Sequence, residues 1–144
     1  MIKFFRTKDE FGCFSNFYMS RIFIDSKLWI TSEHYYQAKK FNDESMIEQI
    51  RSLPTPRRAA DFGRAQNPMR EDWDIIKFDV MKKVVMSKFS QHKKLQDILI
   101  STGNEELVED SPYDSIWGRG PDWKGQNHLG RILMETRDFL KKTV

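Results

Sequence analysis

One cysteine, Cys13, stands in the 144 residues of this chain. An intramolecular disulfide is therefore excluded, and so is a zinc cluster resting on thiolates. With no histidine close in sequence, Cys13 reads as a small buried hydrophobe more readily than as a nucleophile. The three histidines, His34, His92 and His128, lack metal-ligand spacing. No apolar run approaches a membrane span, and no leader-like segment opens the chain. The expectation is a cytoplasmic protein without metal or cofactor. Repeats, flexible linkers and low-complexity tracts are also missing, so one domain over residues 1–144 is expected, long enough to bury a single core.

Concentrated charge is lacking too. The 24 Lys and Arg against 21 Asp and Glu give a net charge of +3, and the basic residues are scattered. A duplex-binding domain more often shows a basic stripe. An anionic or phosphate-bearing small molecule suits this balance better, with modified nucleic acid open as a substrate. Aromatic residues are abundant at 13%, eleven of them Phe and four Trp, which argues for a folded core and leaves rings to line a ligand site.

Along the chain, residues 1–5 read as a strand. The segment after it is irregular but holds Phe11, Phe14, Phe17 and Tyr18 around Asn16. Asn16 either reads the edge of a base or sugar or braces an Asx-turn. Residues 21–24 and 28–30 read as strands joined by a turn at Asp25-Ser26-Lys27, leading straight into a helix. Asp43 caps a second helix that Pro54 stops. Thr55-Pro56 starts a third, which runs through Phe62 and is expected to end at Gly63. Asn67-Pro68 is a turn, and Asp72 caps the longest helix, residues 73–89. Leu95, Ile98 and Leu99 mark a short helix ended by Gly103. Leu107-Val108 reads as a strand and Ile116-Trp117 as another. The last helix has Asn127 as N-cap and Leu129, Ile132, Leu133, Thr136 and Phe139 on one face. Together these elements predict an α+β fold: one compact, mostly helical domain with a small β-sheet.

Two stretches carry chemistry. In TSEHYYQAKKF, residues 31–41, Thr31 and Ser32 suit an N-cap, and Glu33 suits the first turn of a helix. Glu33, Gln37 and Lys40 fall at i, i+4 and i+7, which stacks an acid, an amide and an amine on one face beside Tyr36. An acid and an amine so placed can move protons or form an imine at a sugar carbon. Taken alone, the stretch is read more readily as a solvated charged stripe. The second stretch, WGRGPDWKGQNHLG at residues 117–130, is a glycine-rich loop entering a helix, an arrangement able to cradle an anion. Trp117 and Trp123 offer rings on which a base could stack. Arg64, just past Gly63 and near Arg57 and Arg58, could contact phosphate, or could be a solvated arginine.

Six blocks in order carry a resemblance across nearly the whole chain: FSNF at 14–17, TSEHYYQAKKF at 31–41, FGR at 62–64, MREDWD at 69–74, LVEDSPYDSIWG at 107–118 and GQNHLGRILMETR at 125–137. Together they resemble the NADAR superfamily, the YbiA-like N-glycosidases. The resemblance implies that family's fold, with no fused partner domain. It implies hydrolysis of an N-glycosidic bond to ribose C1, most simply in the ribosylaminopyrimidine phosphates of early riboflavin biosynthesis, releasing ribose 5-phosphate. Removal of ADP-ribose from guanine in nucleic acid is the alternative activity, and a non-catalytic ADP-ribose or nucleotide-binding module is a further reading. Matched position by position, the family's motif falls on Asn16, Glu33, Lys40, Arg64, Asp114, Trp117, Gly118 and Asn127. Glu33, Lys40 and Asp114 would be catalytic, either through a Lys40 Schiff base or through Glu33/Asp114 acid–base attack by water. Asn16, Tyr36, Arg64, Arg70, Trp117, Gly118 and Asn127 would bind substrate, Arg64 and Arg70 at the phosphate. Arg119, where the family often carries an acidic or other residue, is the point of loosest match.

Overall fold

In the computed structural model, which describes residues 1–143, the elements in chain order are β1 (Ile2–Phe4), β2 (Ile22–Ile24), β3 (Lys27–Trp29), α1 (Ser32–Ala38), α2 (Glu44–Arg51), α3 (Pro56–Ala65), α4 (Trp73–Gln91), α5 (Lys93–Ser101), β4 (Leu107–Glu109) and α6 (His128–Thr143). Val144, which the expected domain includes, lies outside the described residues. The fold is mostly helical with a small amount of β structure, arranged as two ladders. The chain divides into two compact units: a central one, Asn16–Lys88, and a terminal one made of Met1–Ser15 and the chain from Phe89 onward. No described helix is long and apolar enough to cross a membrane.

In the central unit the hairpin forms where β-branched and aromatic residues flank turn chemistry. Ile24 pairs with Lys27, so the turn contracts to Asp25 and Ser26, with φ of 53° and 66°. Those left-handed angles match the strand twist of a two-residue hairpin, and Lys27 belongs to β3 rather than to the turn. Thr31 then caps α1 as expected, its hydroxyl accepting the His34 N–H at 3.2 Å. Asp43 and Thr55 cap α2 and α3 in the same way, and Pro56 opens α3.

Gly63 does not end α3. The helix runs on to Ala65 because α3 crosses α1 there: a Cβ on Gly63 would stand 2.9 Å from the Gln37 Cβ and 3.0 Å from its Cδ. This glycine serves close helix approach, not termination. At the start of α4 the Asp72 carbonyl accepts from Ile75 and Ile76, while its carboxylate is held by Arg70. Trp73, Val80, Met81, Val84 and Val85 are buried along α4.

In the terminal unit β1 and β4 pair in parallel, Ile2 with Leu107 and Phe4 with Glu109. Phe14 packs edge-on against Phe4 at 5.8 Å and Phe89 at 6.0 Å between ring centroids. The buried stripe of α6 holds Leu129, Ile132, Leu133 and Thr136, but Phe139 is 53% exposed and Leu140 is buried in its place. At about 100° per residue Leu140 lies about 20° from Leu129 around the axis, whereas Phe139 lies about 80° away. Asn127 stands at the start of α6, its carbonyl accepting from Arg131, yet its side chain does not cap. It bridges to β4 instead: Oδ1 accepts the Glu109 N–H at 3.0 Å and Nδ2 donates to the Leu107 carbonyl at 2.9 Å. Ile116-Trp117 is not a strand but a turn, closed by Asp114 Oδ1, which accepts both their amides at 3.0 and 2.8 Å.

His34 tests the packing around α1. Its Nε2 lies 2.9 Å from the Leu53 carbonyl, which only accepts, so Nε2 carries the proton and Nδ1 accepts from the Thr31 hydroxyl at 2.6 Å. Burial pulls the imidazole below its usual range, partly opposed by the hydrogen bond to Leu53. The folded state then binds fewer protons than the unfolded chain once pH drops below about 6.5, so stability is present above that pH and is lost below it. Urea unfolding between pH 7.5 and 5 should show a steeper loss in the wild type than in His34→Gln. Parallel profiles would contradict this assignment.

Candidate active site

Every residue of α1, Ser32 to Ala38, is buried. The expectation that Glu33 could be a solvated first-turn charge therefore fails: the residue is 6% exposed. A buried carboxylate needs partners, and the local sequence supplies them. The Glu33 backbone N–H donates to the Asn16 carbonyl at 3.1 Å, which ties the aromatic loop to the helix start. One turn on, Gln37 Nε2 donates to Glu33 Oε2 at 2.6 Å.

The helix proper stops at Ala38, with Lys39 as C-cap, but the chain tightens without leaving the face: the Lys40 N–H donates to the Gln37 carbonyl at 3.2 Å. Lys40 is half-buried, its Nζ 5.7 Å from the centre of the Tyr36 ring. Tyr36 in turn meets Trp73 at 5.1 Å with the ring planes at 63°. Burial lowers the pKa of the Lys40 amine, the negative charge of Glu33 works against that shift, and the positive charge of Arg64 adds to it. Arg64 sits in the last turn of α3. The central unit thus brings Glu33, Tyr36, Lys40 and Arg64 together, with the amine pushed toward its neutral, nucleophilic form. Lys39 lies apart from this group, with its Nζ 5.8 Å from the centre of the Tyr35 ring.

The other expected binders are placed differently. Asn16 turns its amide to the Met81 sulfur at 3.3 Å while its carbonyl holds α1. Arg70 fastens its backbone to Lys40, donating its N–H to the Lys40 carbonyl at 2.8 Å. Its guanidinium forks onto Asp72, at 2.7 Å from Nε and 3.2 Å from Nη2, and this pairing lowers the Asp72 pKa. Arg70 lines a cleft of about 630 Å³ together with Asp43, Glu71 and Asp72. A phosphate there would have to displace a bidentate carboxylate and meet two more acids. Arg64 is thus the better phosphate candidate of the two.

On the terminal unit, Asp114 closes the turn that presents Trp117 and Gly118. Trp117 is buried, 6.2 Å from the His128 ring. At Gly118 a Cβ would stand 3.1 Å from the carbonyl oxygens of Asp114 and Glu109, so a side chain there would crowd the turn. The glycine-rich loop does not offer its amides to an anion. Gln126, Asn127, His128 and Leu129 donate to the carbonyls of Ser115, Gly118, Ile116 and Trp117, at 2.8, 3.0, 3.0 and 3.1 Å. Trp123 is 46% exposed, with Lys3 Nζ and the Arg119 guanidinium each 4.9 Å from its ring centre.

Two residues were not singled out as site residues from sequence. Gln37 was placed on the right face without a role, although its i+4 spacing from Glu33 was the signal. Trp73 opens the longest helix, and nothing in the sequence distinguishes its contact with Tyr36 from ordinary packing.

Comparison with known proteins places this arrangement. The NADAR domain family model matches residues 3–141. The N-glycosidase YbiA of Escherichia coli is 45% identical over 141 residues, which cover 97% of this chain and 88% of that protein. The NMR structure of E. coli YbiA superposes with a TM-score of 0.91 at 44% identity, covering 99% of this chain and 85% of that one. The riboflavin biosynthesis protein PYRR of Zea mays is 38% identical over 160 residues, spanning all of this chain but 26% of that longer protein. The chain belongs to the NADAR family, and within it to the YbiA-like N-glycosidases, hydrolases of the bond between a sugar carbon and nitrogen.

The electrostatics of Lys40 have a direct check. With lysines carrying ¹³C-methyl labels, Lys40 should titrate below the surface lysines. Arg64→Gln should raise its midpoint by removing a like charge, and Glu33→Gln should lower it further by removing an opposite one. Titration of Lys40 together with the surface lysines, unmoved by either variant, would contradict the geometry.

Proposed function

We propose that the substrate is an N-ribosylated amine of the ribosylaminopyrimidine phosphate class, hydrolysed to free aminopyrimidine and ribose 5-phosphate, with Lys40 as nucleophile. The observation that carries this reading is the half-buried Lys40 amine, shifted toward neutrality beside a buried carboxylate. A purely binding module has little use for that pair. The maize relative, a riboflavin biosynthesis protein, supports the substrate class, and no basic stripe speaks for nucleic acid.

The chemistry runs in balanced steps. The ribosylamine opens its ring to an imine at C1. Lys40 Nζ adds to C1, and its surplus proton passes by way of Glu33 to the nitrogen of the leaving amine. The C1–N bond to the base breaks and leaves a Lys40 Schiff base. Water adds at C1 and gives its proton to Glu33, which returns it to Nζ; as the C1–Nζ bond breaks, the C1 hydroxyl becomes the aldehyde carbonyl, its proton passes to solvent, and ribose 5-phosphate departs with Lys40 and Glu33 restored. The Arg64 guanidinium, already within electrostatic reach of Lys40, supplies charge for the phosphate. The competing course has no covalent step: Glu33 or Asp114 activates water against an oxocarbenium-like C1.

Release of free base should be followed for two substrates, a ribosylaminopyrimidine phosphate and an ADP-ribosylated guanine oligonucleotide. The wild type should turn over the first and not the second, and Lys40→Ala should lose activity on the order of a thousandfold. Turnover of the oligonucleotide alone would move the activity to nucleic acid, which the mild positive charge would accommodate. Tight ADP-ribose binding without turnover of either would leave a binding module.

A further inference from the structure

We propose that Gln37 is a positioning residue for Glu33, held in place by Gly63, and that its amide fixes the carboxylate in the orientation from which it moves protons. The inference rests on the role given to Glu33 above and adds the side chain that controls it.

Gln37 carries a cost. Gln37 is 1% exposed, and its Oε1 has no hydrogen-bond partner among the described residues. A buried amide oxygen left unpaired is destabilising, and a leucine or methionine would fill the same volume without it. The use of the amide lies at its other end, where Nε2 meets Glu33 Oε2 at 2.6 Å. The orientation is unambiguous for an ionised Glu33, because the reversed amide would set two oxygens against each other. Gly63 holds the arrangement from the far side: a side chain there would collide with Oε1 and crowd Cβ and Cδ of Gln37. One glycine on α3 thereby fixes one amide on α1, and the amide fixes one carboxylate.

The choice of a neutral donor also has a chemical reason. A lysine or arginine at this position would pin Glu33 as a permanent anion, too weak a base to take a proton readily. An amide orients the carboxylate while favouring its ionised form only moderately, which suits a group that must gain and lose a proton in each turnover.

The test is the pH dependence of kcat/KM for the ribosylamine substrate, with unfolding midpoints measured alongside. Removing a donor to the ionised form raises the carboxyl midpoint, so the acidic limb in Gln37→Leu should move up by about one pH unit. Its kcat should fall while KM stays near the wild-type value. Gln37→Glu, which places a second carboxylate on Glu33, should move the limb further in the same direction. Gly63→Ala should reproduce part of the effect without touching Glu33. Independently of turnover, the side-chain amide resonances of Gln37 in the wild-type protein should shift with pH at the midpoint of Glu33. An unmoved acidic limb in folded variants, or amide resonances that ignore the Glu33 midpoint, would overturn the proposal. An inactive wild type whose Gln37 amide still tracks Glu33 would instead sink the functional reading and leave this one standing.

Discussion

The constraint on which the site depends is the complete burial of a seven-residue helix that carries Glu33, His34 and Gln37. A helix this short is marginal alone, and hydrophobic contacts do not by themselves compensate the desolvation of its polar side chains. Most of their polar atoms are met by a named group, Gln37 Oε1 being an exception. Thr31 and the Leu53 carbonyl take both nitrogens of His34. Gln37 takes one oxygen of Glu33, and the Asn16 carbonyl takes its backbone amide. The cap of α1, the approach of α3 at Gly63 and the loop around Asn16 are different means of making one buried polar helix tolerable. Polar groups held in this way are preorganised, which is what the proposed proton transfer and attack at C1 require.

Lys40 shows how the chain uses the end of that helix. Beyond Ala38 a further regular turn is not needed; a tighter one keeps the amine on the Glu33 face while leaving it half-buried beside Tyr36. Fully solvated, the amine would be protonated at neutral pH and inert as a nucleophile. Deeper burial without Glu33 and Arg64 nearby would leave its protonation to desolvation alone. The balance of burial, one opposing charge and one like charge places its affinity for protons between those extremes. Arg70, close by through its backbone, takes no part in that balance because its guanidinium is matched to Asp72.

Much of this was legible in the sequence because the signals were local. Thr31, Asp43 and Thr55 announce helix starts, Asp25-Ser26 a hairpin, and the spacing of Glu33, Gln37 and Lys40 a shared face. What escaped was decided by distant packing. Gly63 looks like a terminator until α1 lies against it, and Asn127 looks like a cap until β4 presents its backbone. Ile116-Trp117 has strand composition, yet Asp114 folds it into a turn. The glycine-rich loop has the composition of an anion cradle, but the amides at its helix end are taken up by the carbonyls of residues 115–118. Burial of Glu33, which makes a charged stripe a candidate site, is a tertiary property that no spacing rule contains.

The most direct test of the central claim is chemical trapping at Lys40. The wild-type enzyme, turning over a ribosylaminopyrimidine phosphate in the presence of borohydride, should gain the mass of one reduced pentose phosphate. Peptide mapping should place that mass on Lys40 and on neither Lys39 nor any surface lysine. An enzyme that remains fully active through the same treatment, with Lys40 unmodified, would contradict the nucleophilic amine and leave water activated by a carboxylate as the course of the reaction.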